Sequence, residues 1–329
     1  MRVALVGGAG FVGHHLALDL KARGHEIQII DSLTVNNLHS QVLGSERWTA
    51  MLHERFVLLE RANIPHIRID ATDYHQLSAA LREWAPDLIV HLAAVAHIDR
   101  SDKDPWSTFK NSVITLQKTI DVARALDAGV IYFSSSTVYG NFTGIIDEDY
   151  MREPYGNYGT YKWCGEGMCK SYNQSYGMPV VIIRPQALYG ARCVSQRVTQ
   201  KFVERAHDGL ALTIHGSGSE EHDFTYIDDL IQGLRLVIEK LEFKPGLFRI
   251  YNVTGECATS LNALADIITE RFPTKVEYGE PDPLKPTRGT MSCKRIREEL
   301  GYEPKFDIRR GMNAYMDYYQ GLESVGKVA

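Results

Sequence analysis

The stretch that decides the fold is Arg2-Val3-Ala4-Leu5-Val6-Gly7-Gly8-Ala9-Gly10-Phe11-Val12-Gly13, at the amino terminus. Arg2–Val6 predicts a short buried strand, and the residues that follow the turn predict a helix ending near Gly24. The glycines at 7, 10 and 13 follow a GxxGxxG spacing, which lets backbone amides approach a pyrophosphate at the positive end of that helix. A plain tight turn explains such glycines equally well when nothing else accompanies them.

A carboxylate at the end of the next predicted strand favours the pyrophosphate-binding interpretation of the glycine turn. Glu26–Ile30 predicts this strand, and it closes on Asp31, 18 positions beyond Gly13. A carboxylate there accepts hydrogen bonds from the hydroxyls of an adenosine ribose and repels a 2′-phosphate. The sequence therefore predicts NAD rather than NADP as the cofactor.

Further apolar runs alternate with helical patterns along the first half of the chain. This alternation predicts an α/β fold with a doubly wound parallel sheet, whose ligands bind outside the carboxyl ends of the strands. The remaining strands of this half are predicted at 66–69, 87–92, 130–133 and 179–184.

An insertion at 36–63 separates the second and third predicted strands, and its pattern is largely helical. Trp48, Leu52, Phe56 and Leu59 recur at helical spacing, so we interpret them as core contacts and assign them no chemistry.

Asp70 follows the third predicted strand and has two interpretations. At the carboxyl end of a strand it is a plausible neighbour of the adenine. Alternatively, it only precedes a helix that is capped by Thr72 or Asp73. After the fourth strand, the small residues Ala93 and Ala94 would let a cofactor lie against the backbone.

The stretch Tyr158-Gly159-Thr160-Tyr161-Lys162 holds a phenol and an ammonium that a helix would place one turn apart. A lysine beside a positively charged cofactor ring would lower the tyrosine pKa from its usual value of about 10. Tyr158 is therefore a candidate general base, although most such pairs are a packed ring and a solvated amine. Upstream lies the hydroxyl cluster Ser134 to Thr137, which could also simply satisfy the backbone of a turn.

Beyond residue 185 the alternation loosens into shorter segments separated by glycine and proline. We predict a cofactor domain at 1–184, to which segments around 223–253 return, and a smaller region at 185–329 that mainly binds substrate. The last residues, 324–329, are expected to be frayed.

Composition excludes several classes of function. The net charge of −5 and the absence of a basic stripe argue against nucleic acid as a partner. The five cysteines show no CxxC pair and no metal-ligand spacing, so neither a disulfide framework nor a metal site is expected. No apolar run is long enough to span a bilayer, and no signal-peptide pattern begins the chain. We therefore expect a soluble, cytoplasmic protein.

Six motifs in register carry a resemblance that covers nearly the whole chain. They are GGAGFVG at 7–13, Asp31, HLAAVAH at 91–97, SSSTVYG at 134–140, YGTYK at 158–162 and RPQALYGAR at 184–192. The chain resembles the extended short-chain dehydrogenase/reductase family, and within it the nucleotide-sugar epimerases and dehydratases such as the UDP-glucose/UDP-galactose and UDP-glucuronate 4-epimerases. The resemblance implies a Rossmann domain, bound NAD and a homodimer.

The family's catalytic triad falls on Ser135, Tyr158 and Lys162. The resemblance implies that Tyr158 takes the proton from a sugar hydroxyl while hydride passes to the nicotinamide. Lys162 would hold the nicotinamide ribose and lower the tyrosine pKa, and Ser135 would hydrogen-bond the reacting oxygen. The expected cofactor residues are Gly7, Gly10, Phe11, Val12, Gly13, Asp31, Asp70, Ala71, Leu92, Ala93, Ala94, Asn111, Tyr158, Lys162 and Pro185. The expected substrate residues are His97, Ser136, Thr137, Gln186, Ala187, His222 and Arg288.

The two residues after Ser135 distinguish the subfamilies. In the sugar 4,6-dehydratases of the family that the chain resembles, these two residues are Asp and Glu. In its uronate decarboxylases the second of them is Glu. Ser136 and Thr137 cannot act as general acids near neutral pH, which disfavours dehydration and decarboxylation. The favoured hypothesis is a 4-epimerase of a nucleotide-activated hexose or hexuronate that works through a transient 4-keto sugar.

Two alternatives remain beside the epimerase. One is an NAD-dependent sugar dehydrogenase or reductase of the same family, which the sequence does not separate from an epimerase. The other is a non-catalytic NAD-binding protein, against which the intact triad argues.

Departures from the pattern affect the expected diphosphate site and leave the nucleotide open. Ala187 stands where UDP-galactose epimerases carry Asn, and His222 stands where they carry Arg. Arg288 either matches a family arginine that grips the diphosphate bidentately or is a surface residue.

The expected homodimer would pair helices near 105–126 and Gly156–Tyr176 with their twofold mates as a four-helix bundle. Leu116, Ile120 and Met168 are the apolar contacts predicted for it.

Overall fold

The computed structural model describes residues 1–35, 45–281 and 287–326, with side chains described up to residue 322. Its centre is a parallel sheet of seven strands in the order β12-β7-β5-β4-β1-β2-β3. The strands of this sheet are β1 Arg2–Val6, β2 Glu26–Ile30, β3 His66–Ile67, β4 Leu88–His91, β5 Gly129–Phe133, β7 Val180–Pro185 and β12 Phe248–Val253. The predicted doubly wound α/β fold is confirmed.

The strand order explains where a crevice forms. The chain runs from β1 to β2 and β3 on one side, then returns to place β4, β5, β7 and β12 on the other side of β1. The two connections that leave β1 and β4 therefore diverge, and ligands bind at such a switch point in open α/β sheets.

Helices cover both faces of the sheet, and successive side chains of β1 therefore pack into two different apolar clusters. Val3 and Leu5 pack with one apolar cluster, and Ala4 and Val6 pack with a second cluster on the opposite face. All four side chains are fully buried, so the strand reads as a continuous apolar run. The helices are α1 Phe11–Ala22, α2 Glu46–Arg61, α3 Tyr74–Trp84, α4 Ile98–Lys103, α5 Pro105–Phe109, α6 Thr115–Ala125, α7 Gly156–Tyr176, α8 Val198–His207, α9 Ile227–Lys240, α10 Leu261–Arg271, α11 Lys294–Leu300 and α12 Ile308–Gly326.

Four short two-stranded ladders lie beside the main sheet in the described part of the chain, and all but one of their strands follow β7. They pair β6 Ile145–Ile146 with β15 Thr290–Met291, β8 Leu188–Tyr189 with β11 Thr225–Tyr226, β9 Leu212–His215 with β14 Val276–Gly279, and β10 Glu221–Asp223 with β13 Ala258–Ser260. One later strand, β12, returns to the edge of the main sheet and pairs in parallel with β7.

The helix predicted at 105–126 is helical from Pro105 to Ala125, but it is not α-helical throughout. A π-helical turn, Lys110–Ile114, lies between α5 and α6. Asp104 caps α5 by accepting a hydrogen bond from the Ser107 amide at 2.9 Å. Such single π turns often occur at functional sites, and this one carries Asn111.

The third strand is shorter than the predicted 66–69, because only His66–Ile67 pairs with β2. In the insertion, Leu52 and Leu59 are buried, and Trp48 and Phe56 pack against the same core, as predicted. The part of this insertion at 36–44 lies outside the described residues. The tail predicted to fray begins inside α12, and residues 327–329 likewise lie outside the described part.

Two of the three apolar contacts predicted for the dimer helices are wrong. Leu116 and Ile120 are fully buried in the core of the same chain, so these side chains are not available to a partner. Met168 is only partly buried against that core, so its contact with a partner stays a prediction. The exposed large apolar side chains of these helices include Trp106 and Trp163, which are 68% and 47% exposed. Among the described residues, no helix is both long and apolar enough to cross a membrane.

Candidate active site

A cavity of about 1030 Å³ opens at the carboxyl ends of the central strands. Its volume is at the upper end of the range for small-molecule sites. All the residues predicted to bind cofactor or substrate, and the three of the triad, line it. They are Gly7, Gly10, Phe11, Val12, Gly13, Asp31, Asp70, Ala71, Leu92, Ala93, Ala94, His97, Asn111, Ser135, Ser136, Thr137, Tyr158, Lys162, Pro185, Gln186, Ala187, His222 and Arg288.

Two glycines of the first turn allow backbone to approach backbone. Gly7 has a φ of +82°, and a Cβ on it would lie 2.5 Å from the Ala93 nitrogen. A Cβ on Gly13 would lie 2.5 Å from the Gly8 Cα. No side chain caps the amino end of α1, so its first amides remain for a ligand that reaches this wall of the cavity. This backbone cradle fits the pyrophosphate of a dinucleotide.

Asp31 joins the second strand to the glycine turn. Its carboxylate accepts hydrogen bonds from the Ala9 amide at 3.0 Å and from the Leu33 amide at 2.8 Å. Burial raises the pKa of this carboxyl, while the two amide hydrogen bonds lower it. Asp31 also lines the cavity, so it shapes the turn and faces the space predicted for the ribose.

Asp70 precedes a capped helix, as its second interpretation has it, and its contact with adenine stays a prediction. Asp73 is the residue that caps α3, because its carboxylate accepts from the Gln76 amide at 3.1 Å. Asp70 accepts from the Thr72 amide at 2.8 Å and also lines the cavity. Asn111 lines the cavity from the π turn, where its side chain donates to the Ser107 carbonyl at 2.8 Å.

The three triad residues meet at the carboxyl end of β5. Tyr158 and Lys162 lie on α7 and are 8% and 4% exposed, and Ser135 follows β5. The Lys162 ammonium donates to the Phe133 carbonyl at 2.5 Å and lies 6.0 Å from the centre of the Tyr158 ring. The Ser135 hydroxyl accepts from the Thr137 amide at 3.2 Å.

The lower pKa expected for Tyr158 refers to a site with the positively charged cofactor ring beside it, and it stays a prediction. Burial raises the pKa of its phenol, and the opposing influences are the charge of Arg197 and a hydrogen bond with Ser135. Burial also lowers the pKa of Lys162, to about 7. Desolvation disfavours the charged form of both groups, so the lysine alone does not produce a phenolate.

A buried ion pair fixes the wall behind the triad. Arg184 donates to both carboxylate oxygens of Glu166, at 2.8 and 2.6 Å, and the Ser134 hydroxyl donates to Glu166 at 2.6 Å. Arg184 also donates to the Tyr139 hydroxyl at 2.7 Å. This bidentate pair joins β7 to α7 and so sets the rotation of the helix that carries the tyrosine and lysine.

Several polar atoms of the substrate side have no hydrogen-bond partner within the described part of the chain. They are the Thr137 hydroxyl, both side-chain polar atoms of Gln186 and the His97 Nδ1. Thr137 and Gln186 are 8% and 4% exposed. Since buried polar groups are normally paired, these atoms fit a hydroxyl-rich ligand in the cavity.

Arg288 is not a surface residue. It is 7% exposed, and its guanidinium donates to the Gly140 carbonyl. Burial lowers its pKa to about 10. Ala187 offers no side-chain hydrogen bond, and His222 lines the same cavity.

Sequence reasoning missed a row of cations on this side. Arg197, Lys201 and Arg205 all line the cavity, and Arg197 is held by the Ala96 carbonyl at 2.9 Å. Their spacing of four residues places them on one face of a helix, which is the signal that could have identified them. Among the described residues, no cluster of His, Cys, Asp and Glu could hold a metal ion.

Comparison with known proteins agrees with this geometry. A model described as the NAD dependent epimerase/dehydratase family matches residues 3–254. The crystal structure of UDP-glucuronic acid 4-epimerase from Bacillus cereus, in complex with UDP-glucuronic acid and NAD, matches with a TM-score of 0.88 and 25% identity over 98% of this chain and 100% of that chain.

Two curated relatives catalyse different reactions. The dTDP-glucose 4,6-dehydratase of Streptomyces antibioticus is 26% identical in an alignment that covers 97% of this chain and 92% of the relative. UDP-glucuronate 4-epimerase 5 of Arabidopsis thaliana is 25% identical in an alignment that covers 99% of this chain and 77% of the relative. The resemblance predicted from the motifs is confirmed, and NAD is the cofactor. The chain belongs to the NAD dependent epimerase/dehydratase family.

Proposed function

We propose that this protein is an NAD-dependent 4-epimerase of a nucleotide-activated hexose or hexuronate. The observation that carries the proposal is the meeting of Tyr158, Lys162 and Ser135 in the cavity that the glycine turn also lines, with no acid beside Ser135. A dehydratase needs a group that protonates the departing hydroxyl, and Ser136 and Thr137 do not supply one near neutral pH.

The proposed mechanism assigns a task to each residue of the triad. The glycine turn and Asp31 would hold NAD, which supplies a hydride acceptor that can also return the hydride. Tyr158 takes the proton of the C4 hydroxyl and later gives it back. Ser135 hydrogen-bonds the reacting oxygen, and Lys162 favours the charged form of the phenol once ligands fill the cavity.

The unpartnered polar atoms support a sugar beside the triad. The Thr137 hydroxyl can donate and accept, and the Gln186 amide offers two donors and one acceptor. A sugar ring that turns over within the cavity needs partners able to serve both of its faces, and neutral groups of mixed character suit that requirement.

The cations on the other wall support a phosphorylated substrate. Arg288 is buried, and Arg197 and Lys201 line the same cavity. These groups can bind the diphosphate of a nucleotide sugar although Ala187 and His222 replace the expected contacts. The Bacillus cereus epimerase was crystallised with such a ligand, UDP-glucuronic acid. On this basis residues 1–184, with segments around 223–253, form the cofactor domain, and 185–329 mainly bind substrate.

A sugar dehydrogenase or reductase is the second candidate function, because it would use the same triad and cofactor.

We also propose a cytoplasmic homodimer that pairs through the helices at 105–126 and Gly156–Tyr176. Trp106 and Trp163 are exposed large apolar side chains of these helices. Light scattering at micromolar concentration should report twice the mass of the chain, and a monomer would contradict the dimer.

Mass spectrometry of the purified native protein, followed by a screen of nucleotide sugars, tests the proposed function. We expect tightly held NAD, and formation of a 4-epimer from at least one UDP-, GDP-, CDP- or dTDP-sugar. If no nucleotide sugar is turned over while bound NAD is reduced by another polyol or sugar acid, the epimerase proposal fails and the dehydrogenase stands.

A further inference from the structure

A buried arginine of the insertion reaches the cofactor side of the cavity. Arg55 lies on α2, a helix to which the sequence pattern assigns no chemistry. It is 1% exposed, and it lines the cavity together with Asp31 and Ser32, the residues that follow β2.

Hydrogen bonds hold Arg55 to Arg192 and link it, through Arg192, to the glycine turn. Its Nε and Nη2 both donate to the Arg192 carbonyl, at 3.1 and 2.6 Å. Arg192 donates from Nε to the His14 Nε2 at 2.9 Å, and the His14 Nδ1 donates to the Gly10 carbonyl at 2.9 Å. This chain of contacts fixes the guanidinium relative to the glycine turn.

The third nitrogen of the guanidinium is unpaired. Arg55 Nη1 is buried and has no hydrogen-bond partner in the part of the chain that the structure describes. Its neighbour Arg192 forms an ion pair with Glu54 at 3.1 Å, whereas no carboxylate of the described ranges forms one with Arg55. Burial lowers the pKa of Arg55 to about 10. A buried cation with a free donor is costly unless an oxygen acceptor occupies the space beside it.

We propose that Arg55 is a cofactor-binding residue that donates from Nη1 to an oxygen of the adenosine diphosphate half of NAD. Two observations favour this half. Arg55 shares its end of the cavity with Asp31, and the charges of the two groups influence each other's pKa. The chain of hydrogen bonds from Arg55 also ends at Gly10, in the turn that fits the pyrophosphate.

Calorimetric titration of the full chain, freed of copurifying nucleotide, tests the proposal with NAD and with ADP. Hydrogen bonds to charged groups contribute enough that Arg55→Met should weaken both ligands by about 10- to 100-fold. Arg61→Met on the same helix is the matched control, because Arg61 is exposed and lies outside the cavity. This control should bind both ligands as the wild type does.

Two results would overturn the proposal. One is an unchanged dissociation constant for NAD in folded Arg55→Met, even if its melting temperature falls, because that outcome describes a purely structural arginine. The other is a loss of NAD affinity without a loss of ADP affinity, which places the contact elsewhere on the cofactor. If Arg55→Met does not fold, Arg55→Gln carries the same test, since its amide retains a donor for the Arg192 carbonyl. The test measures binding alone, so it stands whichever reaction the enzyme catalyses.

Discussion

The cofactor side and the substrate side of the cavity are built in different ways. On the cofactor side, Gly7 and Gly13 act through backbone geometry, and Asp31 acts through a carboxylate that two backbone amides hold in place after β2. On the substrate side, Gln186 and Arg288 act through side chains carried by segments outside the regular alternation. A site made from backbone is encoded by residue spacing, whereas a site made from side chains depends on how irregular segments pack.

The triad lies where these two sides meet. Tyr158 faces the cavity from α7, near the cation of Arg197, which comes from the substrate side. Removal of the Tyr158 hydroxyl alone should therefore stop the chemistry and leave both binding sites in place. A change on one side should leave the ligand of the other side unaffected.

The largest effect is expected for Tyr158→Phe, which removes the phenolic oxygen and keeps the ring. Turnover should fall by more than the roughly 100-fold that a general base contributes at minimum, because no other group takes the proton. The dissociation constant of NAD should stay unchanged, as measured by titration. Activity near the wild-type level would show that Tyr158 is not the general base.

A smaller effect, confined to the substrate side, is expected for Arg288→Met. Loss of a charged donor to a phosphate should weaken the nucleotide sugar by about 10- to 100-fold, with NAD affinity unchanged. Arg309→Met is the control, since Arg309 is an exposed arginine paired with Glu270. Equal losses of both ligands in Arg288→Met would show that the two sides are not independent.

The converse change is Asp31→Ala on the cofactor side. We expect NAD to bind about tenfold more weakly and NADP to bind better, because the ribose acceptor and the charge that opposes a 2′-phosphate are both lost. Asp31→Asn keeps an acceptor for the Ala9 amide and therefore separates the shape of the turn from the charge. An unchanged preference between NAD and NADP in both variants contradicts the role given to this carboxylate.

The last effect is on stability rather than on binding or turnover, and it concerns the pH dependence at Lys162. The pKa of Lys162 is about 7 in the folded protein, below the ordinary 10.5, so the unfolded chain binds more protons between these values. The free energy of unfolding should therefore rise with pH in this window, by up to about 1.4 kcal/mol per pH unit, and this gain is absent below pH 7. Urea unfolding of cofactor-free protein between pH 7 and 9.5 should show the gain in the wild type and not in Lys162→Met. If the difference in the free energy of unfolding between the wild type and Lys162→Met does not change with pH, the lysine is not desolvated.

The sequence predicts the cofactor side well because each of its elements leaves a periodic signal. The strand before Gly7, the carboxylate at Asp31 and the four-residue spacing of Tyr158 and Lys162 all follow from secondary structure. The substrate side leaves weaker signals. The burial of Arg288 depends on packing against Gly140, a residue distant in sequence, and no local pattern predicts that contact.

Helix orientation and electrostatics also escaped prediction. Leu116 and Ile120 fit a dimer surface by composition, yet both side chains are fully buried in the core of their own chain. The raised pKa of Tyr158 depends on burial, which sequence spacing does not reveal. The neighbours of Arg55 on α2 form an ordinary amphipathic pattern, which does not indicate that this arginine reaches the cavity.

The central claim is that hydride leaves C4 of a nucleotide sugar and returns to it within one cavity. The most direct test supplies the enzyme with its nucleotide sugar deuterated at C4 and follows the label by mass spectrometry. An epimerase returns the deuterium to C4 of the epimer, and free NADH does not accumulate. Label in released cofactor with a stoichiometric rise of NADH would contradict the claim in favour of a dehydrogenase, and loss of water to a 4-keto-6-deoxy sugar would contradict it in favour of a dehydratase.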